Sequence, residues 1–399
     1  MSRWKVVLGI LWFGTFLMMA GMTMIMPFLP LYLQQLGITG EHEVAFWSGA
    51  IYASTFITSF LFQPLWAQIA DRYGRKIMLL RSGFGMAAVI ILMGLSYNAW
   101  QLLALRLLNG VVSGFQPAAT ALMSTIAPRV RMGFALGTLQ SGGVAGSIIG
   151  PLIGGLMADL FGFRPIFFVT GSLLILASLL VGFFVKERFD REAALAKPKM
   201  SILRSFAELS KIPQLPALFT VTFILQFAFL SAMPIIPLYI QNISEDVTRI
   251  AFYSGLVGSI TGLSNIIASP VLGRLADRID PHKILWISLL GAAVSYVPQA
   301  TAGGITQLLA ARFLLGLCMG GIVPTVNALI TRYTPDGMQS RAFGFNTSSF
   351  SLGSMLGPSV GGMLSGWIGF SGIFYFSAVL MLLNGIWVYV FTRAMAKPS

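Results

Sequence analysis

The chain repeats the pattern of its own apolar segments after about half of its length. The stretch MPFLPLY at Met26–Tyr32 returns as MPIIPLY at Met233–Tyr239, and GPLIGG at Gly150–Gly155 returns as GPSVGG at Gly357–Gly362. The offset between matching positions of the two copies is 206 or 207 residues. Two homologous sets of membrane helices are the arrangement by which secondary transporters alternate access to a site between them. The repeat therefore predicts two related helical bundles and a transport mechanism.

The composition indicates that the lipid bilayer is the main solvent of this chain. Of its 399 residues, 56% are hydrophobic and 10% are charged, and the mean hydropathy is +0.81. Segments of about 20 apolar residues, the length that crosses the hydrocarbon layer, alternate with short polar loops. We predict an all-α polytopic membrane protein with twelve transmembrane helices in two homologous six-helix bundles. The predicted spans are 6–30, 45–68, 77–97, 100–123, 135–157, 165–185, 215–239, 250–272, 284–303, 305–330, 342–364 and 371–392.

The distribution of Lys and Arg predicts the orientation of these spans. Of the 26 basic residues, 22 fall on the side that holds both termini, and only Arg164 and Arg249 fall in loops on the other side. Because cytoplasmic loops are enriched in Lys and Arg, both termini are predicted to be cytoplasmic. The net charge of +13 is then a signal of topology, and it does not indicate a nucleic-acid partner.

The repeat also predicts the domain organisation. We expect an N-terminal bundle at 1–185, a cytoplasmic linker at 186–213 and a C-terminal bundle at 214–399. The linker is too short for a nucleotide-binding domain, and the chain has no P-loop, so ATP bound by this chain is not expected to drive transport. His42 and His282 lie in loops on opposite sides, and no nucleophile, base or metal ligands cluster in the sequence. We therefore expect no enzymatic activity, catalytic residue, metal or cofactor.

The loop at 67–76, between the second and third spans, has the sequence AQIADRYGRK. Gly74 can take the positive φ that a tight reversal needs. Asp71 is predicted to face the positive end of a neighbouring helix, while Arg72 and Arg75 balance helix carboxyl ends and lipid phosphates. Such contacts would join the bundles in one conformation and release them in the next. The alternative is a basic loop that only obeys the positive-inside rule.

Glycine recurs at every fourth position of the fifth span, from Gly142 to Gly154, with Pro151 among them. This spacing places the glycines on one face, where another helix can approach closely, and the proline weakens the backbone ladder so that the helix can bend. Span 11 repeats the pattern. The alternative is close packing without a gating role. The residues predicted to act in gating are Asp71, Arg72, Gly74, Arg75, Gly146, Gly150, Pro151, Gly154, Asp277, Gly357 and Pro358.

Together these motifs resemble the signatures of the major facilitator superfamily. The loop at 67–76, Arg106 in span 4 and the run Gly146–Gly155 in span 5 are similar to three of its motifs, the last being characteristic of exporters. The segment Pro27–Pro30 resembles the first-span motif of the twelve-span drug:proton antiporters. The resemblance covers essentially the whole chain and extends to the MdtG-type bacterial multidrug exporters. Asn109 departs from the glutamine that is frequent in the family.

This resemblance implies secondary active export of drug-like amphipathic small molecules by alternating access, coupled to proton antiport. It also implies a functional monomer in the lipid bilayer of the bacterial cytoplasmic (inner) membrane. Uptake of a metabolite or translocation of a lipid by the same fold is the alternative. The residues predicted to line the substrate cavity or to serve coupling are Arg106, Arg312, Asn109, Gln116, Gln226, Asn265, Asn327, Pro27 and Pro30.

The sequence has no carboxylate deep in a predicted span that could carry the coupled proton. All 13 acidic residues lie in loops or near span ends, whereas Arg106 and Arg312 lie within spans at matching depth. Arginine keeps its charge at any accessible pH. The two arginines therefore predict a preference for neutral, zwitterionic or anionic amphiphiles over dications. The alternative is that each arginine braces its own bundle by bonding helix carbonyls.

Overall fold

The structure is a computed structural model that describes residues 3–128, 131–187, 208–244, 249–335 and 338–395. Within these ranges the regular elements are helices, and every predicted span contains one, which confirms the all-α fold class. The first half holds α1 (Arg3–Met24), α2 (Leu29–Gln35), α3 (Glu41–Tyr73), α4 (Arg75–Gly94), α5 (Ala99–Val112), α6 (Phe115–Ile126), α7 (Met132–Phe161) and α8 (Arg164–Phe184). The second half holds α9 (Gln214–Ser231), α10 (Ile236–Ile243), α11 (Ile250–Arg278), α12 (Pro281–Ala300), α13 (Ile305–Tyr333) and α14 (Gln339–Met395).

The internal repeat is visible in the first span of each half. A 3-10 turn, Met26–Phe28, separates α1 from α2, and a matching turn, Met233–Ile235, separates α9 from α10. Each turn has proline near its start, where the missing N–H would have no helical partner. The sequence repeat therefore produces the same bend in both copies.

The fourth span departs from its copy. The helix predicted over 100–123 is divided between α5 and α6, because Ser113 is extended and Gly114 has a φ of 125°. The corresponding α13 continues without a break through Gly320 and Pro324. The break leaves helices of 14 and 12 residues, each shorter than the roughly 20 that a continuous membrane helix needs.

Length and apolar composition together identify nine membrane-spanning helical segments within the described ranges. One of them, Arg341–Val390, covers two predicted spans, which meet at Gly369, where φ is 71°. The divided fourth span and α12 are outside this set of nine, although each coincides with a predicted span. The described helices thus agree with the twelve predicted positions, although the nine apolar segments by themselves do not establish twelve spans.

The chain forms two compact units, each with contributions from both sequence halves. Unit 1 comprises Met1–Ile38, Ser54–Pro198 and Asp246–Ser259, and unit 2 comprises Thr39–Ala53, Lys199–Glu245 and Ile260–Ser399. In unit 1, α1 packs on α7 and α8, and α4 packs on α8, α5 and α6. In unit 2, α9 packs on α14, and α12 packs on α13 and α14. The division at 1–185, 186–213 and 214–399 stays a prediction, since most of that linker lies outside the described residues.

Candidate functional site

The loop between α3 and α4 turns at Gly74, which has the predicted positive φ, 96°. The carboxylate of Glu187 accepts hydrogen bonds from the backbone N–H groups of Arg75 (3.0 Å) and Lys76 (2.8 Å). A carboxylate at this position satisfies the first free N–H groups of α4 and interacts favourably with the helix dipole. Glu187 was missed by the sequence analysis because 112 residues separate it from Arg75.

Three of the predicted gating side chains lie outside the described part of the structure. The backbones of Asp71 and Arg72 belong to the last turns of α3, and that of Asp277 to the end of α11. Their proposed contacts with a neighbouring helix stay predictions.

The regularly spaced glycines of α7 face α1, a helix of the same sequence half. A Cβ added at Gly146 would lie 2.8 Å from the backbone nitrogen of Ala20, and one added at Gly154 would lie 2.7 Å from the carbonyl carbon of Met24. Gly150 faces the Ala20 backbone and the Thr23 hydroxyl in the same way. In α14, Gly357 faces the carbonyl oxygen of Phe227 on α9. These glycines therefore pack closely within each half, and a role for them in gating stays a prediction.

A different face of α7 contacts the first turns of α11, a helix of the other sequence half. The carbonyl group of Pro151 lies against Gly255, and a Cβ added at Gly155 would lie 2.8 Å from the carbonyl carbon of Ala251. The hydroxyl of Ser259 donates a hydrogen bond to the carbonyl oxygen of Ile148 (2.6 Å). We call this set of residues the α7–α11 contact, and all of it lies within unit 1.

The repeat produces an equivalent contact in unit 2, between α14 and the first turns of α3. The carbonyl group of Pro358 lies against Gly49, and a Cβ added at Gly362 would lie 3.1 Å from the Cα of Gly49. Gly362 also faces the carbonyl group of Ala45. We call this the α3–α14 contact. In both contacts the proline of the motif and the glycine four positions later touch the other sequence half.

Arg106 is buried in α5, with 6% of its surface exposed. The helix around it is held against α3, because Thr55 donates a hydrogen bond to the carbonyl oxygen of Arg106 (3.1 Å) and Thr58 to that of Leu107 (2.8 Å). Gly110 permits this approach. One turn of the helix thus combines a buried cation with a tight interhelical contact. The predicted Asn109 lies in the same turn and is 1% exposed.

Arg312 occupies the matching place in α13 and is 1% exposed. Its guanidinium lies 5.7 Å from the ring centre of Phe374, and it interacts electrostatically with the buried phenol of Tyr296. The Nε and Nη2 atoms of Arg312 and the hydroxyl of Tyr296 have no hydrogen-bond partner among the described residues. In this conformation Arg312 is packed inside unit 2, so a substrate reaches it only if the surrounding helices separate.

An aromatic surface with amide groups lies on α1, α6 and α7 of unit 1. Trp12 stacks on Phe16, with 5.8 Å between ring centres, and its indole N–H donates a hydrogen bond to the hydroxyl of Ser141 (3.0 Å). The predicted Gln116 donates a hydrogen bond to Gln140 (2.7 Å). Trp12, Phe16, Gln116, Gln140 and Ser141, which we call the α1–α7 aromatic surface, carry no formal charge. They offer apolar area together with hydrogen-bond donors and acceptors.

Unit 2 has a comparable surface on α9 and α14. Phe223 stacks on Phe227 at 5.8 Å, and Thr222 donates a hydrogen bond to Asn346 (2.7 Å). The predicted Gln226 is half-buried beside Gly353. Asn265 and Asn327 do not belong to this surface. The side chain of Asn265 accepts a hydrogen bond from Ser269 within α11, and Asn327 is half-buried in α13.

The predicted Pro27 and Pro30 are buried where α1 bends into α2, so they shape the first span. A polar cluster that sequence analysis missed surrounds the break between α5 and α6. The indole N–H of Trp66 donates to the carbonyl oxygen of Val111 (2.6 Å), and Nη2 of Arg81 donates to that of Ser113 (3.0 Å). The Arg81 guanidinium also lies 3.6 Å from the ring centre of Trp66. These side chains satisfy carbonyls that the broken helix leaves free.

Comparison with known proteins agrees with this arrangement. Family models of the Major Facilitator Superfamily match residues 11–298 and 218–399. The chain is 42% identical over 386 residues to the multidrug resistance protein MdtG of Salmonella typhimurium, covering 96% of this chain and 95% of the relative. MdtG of Salmonella arizonae matches with the same identity and coverage.

Solved structures support the same fold at low sequence identity. The nucleoside transporter NupG superposes with a TM-score of 0.78 at 14% identity, covering 99% of this chain and all of that one. The human organic anion transporter MFSD10 has a TM-score of 0.69 at 16% identity, covering 97% and 100%. The match of family models across the chain, together with the 42% identity to MdtG proteins, shows that this multi-pass membrane protein belongs to the major facilitator superfamily.

Proposed function

We propose that this protein exports drug-like amphipathic small molecules by alternating access, coupled to proton antiport. The observation that carries the proposal is the 42% identity to multidrug resistance proteins along almost the whole of both chains. The α1–α7 aromatic surface supports it from the structure, because stacked rings with uncharged polar groups suit varied apolar ligands better than one fixed polar substrate. Relatives of this kind also support placement in the bacterial inner membrane.

The proposed substrates are mainly apolar and carry few formal charges. Trp12 and Phe16 supply the apolar contact area, and Gln116, Gln140 and Ser141 can exchange hydrogen bonds with different polar groups. Because this surface carries no fixed charge, a neutral amphiphile can bind to it without leaving a charged side chain unpaired. We propose that anionic amphiphiles are accepted when helix movements expose the cations within the spans, and that dications are disfavoured.

The two contacts between sequence halves support alternating access. Backbone meets backbone at glycine and proline in both the α7–α11 and the α3–α14 contact, so either contact can separate without breaking a network of long side chains. Both contacts lie at the helix ends that the charge distribution predicts to be outside. We propose that their separation opens the outward path and that both termini are cytoplasmic.

Purified protein in lipid vesicles with a preset pH gradient tests the proposal. Addition of substrates from a panel of amphipathic compounds should dissipate the gradient, and no compound should do so in protein-free vesicles. Trp12→Ala should weaken this response by about tenfold if one aromatic anchor of 1–2 kcal/mol is lost. Trp100→Ala is the matched control, because Trp100 is 70% exposed at the start of α5.

The alternative function, uptake of a metabolite or movement of a lipid, makes a different prediction. Loss of an exporter raises the amount of drug retained by the cell, whereas loss of an importer creates a nutritional requirement. If the drug panel left the pH gradient unchanged and deletion of the gene caused such a requirement, export would be rejected.

A further inference from the structure

A carboxylate joins the two helices of the α7–α11 contact. Oδ2 of Asp159, two residues before the end of α7, accepts a hydrogen bond from the backbone N–H of Phe252 (2.8 Å). Phe252 lies in the first turn of α11, where backbone N–H groups have no partner within the helix. The bond therefore combines a charged acceptor with the positive end of a helix dipole.

This carboxylate is absent from the equivalent contact in unit 2. The residue that corresponds to Asp159 in the repeat is Gly366, and a Cβ added there would lie 3.6 Å from the imidazole of His42. The α3–α14 contact therefore forms between the same glycine and proline positions without a carboxylate. The glycine and proline positions are therefore enough for a contact of this kind to form. The presence of Asp159 in the α7–α11 contact alone needs another explanation.

We infer that Asp159 is a proton-sensitive latch that holds the α7–α11 contact closed while it is ionised and releases it when protonated. The inference rests on the proposed transport function and adds a regulatory residue to it. The closed contact stabilises the carboxylate through the Phe252 N–H and the helix dipole. Protonation at the oxygen removes the negative charge and leaves a neutral hydrogen bond, which is about half as strong. A lower pH on that side of the membrane therefore favours opening.

Two cations lie close to Asp159 or Phe252 along the chain. Arg249 directly precedes α11 and is exposed. Arg164, at the start of α8, donates a hydrogen bond to the carbonyl oxygen of Ser96 (3.4 Å) and lies 5.4 Å from the ring centre of Tyr97. The 3-10 turn that also packs on α7 contains only uncharged residues. Arginine keeps its charge at any accessible pH, so neither cation titrates together with Asp159.

The location of Asp159 distinguishes this latch from a residue that carries the transported proton. It lies two residues beyond the predicted fifth span, on the side assigned to the exterior, so its proton exchanges with the external medium. Acidification outside would open the outward path, which is the direction of substrate release in the proposed antiport. Asp159 thus adjusts the conformational equilibrium to external pH and does not deliver a proton to the cytoplasm.

Labelling of a cysteine buried in the contact measures the latch without transport. Ser259 is 6% exposed, and Ser259→Cys in a Cys318→Ser background should react slowly with an impermeant thiol reagent while the contact is closed. The rate is divided by that of Thr39→Cys, an exposed site, to correct for the pH dependence of the thiol. The corrected rate should rise about tenfold as the pH falls from neutral to below the ordinary carboxyl value of about 3.9, as expected when a charge-assisted bond becomes a neutral one.

Two Asp159 variants and a matched carboxylate separate the latch from simple packing. Asp159→Asn should label at the fast rate at all pH values, whereas Asp159→Glu should retain the pH dependence. Glu43→Gln, at an exposed acid in the first turn of α3, should label as the parent does. A rate that does not change with pH in the parent, or an Asp159→Asn variant that retains the pH dependence, would overturn the latch. If labelling followed these expectations but no compound were transported, the latch would stand and the proposed function would fail.

Discussion

Adjacent glycines on α7 face different helices, and this difference gives a sharp test of which contact gates transport. Gly154 faces α1, where a Cβ would lie 2.7 Å from the carbonyl carbon of Met24. Gly155 faces α11, where a Cβ would lie 2.8 Å from the carbonyl carbon of Ala251. Alanine at either position is thus the same chemical change with nearly the same steric conflict. The two variants differ only in the helix that must shift, which is α1 for Gly154 and α11 for Gly155.

The size of the effect follows from these distances. Carbon atoms pack best at about 3.5–4.0 Å, so each alanine requires a shift of roughly 1 Å. Overpacking of this kind costs about 1–3 kcal/mol. At Gly155 the cost falls on the closed form of the α7–α11 contact, which can relax by opening, and the open fraction should rise about 5- to 150-fold. At Gly154 the cost falls on packing within unit 1, and the folded protein as a whole is destabilised.

Two measurements on the same pair of variants distinguish these outcomes. With Ser259→Cys as the reporter, Gly155→Ala should accelerate labelling, and Gly154→Ala should not. The midpoint of thermal denaturation in detergent should fall for Gly154→Ala more than for Gly155→Ala. If Gly154→Ala accelerated labelling and Gly155→Ala did not, the assignment of the two faces would be wrong and the gate would lie on the α1 side.

Three further predictions use other parts of the chain. Arg312→Gln should reduce transport of anionic amphiphiles more than that of neutral ones, while Arg312→Lys retains part of the activity; equal losses for both classes would leave only a bracing role. Burial lowers the pKa of His282, against a smaller opposing effect of Asp280, so the neutral form is favoured in the folded state. The contribution of His282 to stability should therefore be fully present above the ordinary pKa of 6.5 and be lost as the pH falls below it. His282→Gln should make the thermal denaturation midpoint less dependent on pH in that range, whereas a neutral substitution at an exposed uncharged position such as Thr39 should not. In intact cells, an impermeant thiol reagent should label a cysteine placed at Glu43 but not one placed at Lys199. Labelling at Lys199 but not at Glu43 would reverse the predicted orientation.

The sequence was sufficient to predict where the spans lie, because apolar length is a property of one segment. The bends at Pro27 and Pro234 are equally local, although the sequence analysis assigned Pro27 to the substrate cavity and did not predict a bend there. The positive φ at Gly74 is equally local. Span length, the bend at a proline and the positive φ of a glycine each depend on residues that are close together in the sequence, so distant partners need not be known.

The partners of the glycines could not be predicted in this way. A spacing of four residues shows that Gly150 and Gly154 share a face, but it does not show which helix that face meets. The break at Gly114 is a second example, since the copy at Gly320 has the same glycine and a similarly placed proline and remains helical. The difference lies in distant donors, Trp66 and Arg81, which stabilise the free carbonyls of the broken span.

The comparison of the two halves separates features that move the helices from features that distinguish one half from the other. The proline–glycine contacts and the close approach of Gly110 and Gly316, four residues after the buried arginines, occur in both halves, as a mechanism in which two related bundles alternate requires. A substrate has no twofold symmetry, and neither does a proton gradient. Residues that the repeat does not preserve are therefore candidates for discrimination between substrates or between the two sides of the membrane, in addition to the paired arginines. Asp159, which is replaced by Gly366 in the other copy, and Arg81, which is replaced by Ile287, are two such residues. Changes at these positions should alter pH response or selectivity, whereas changes at Gly155 and Gly362, the glycines of the two proline–glycine contacts, should alter the rate for every substrate alike.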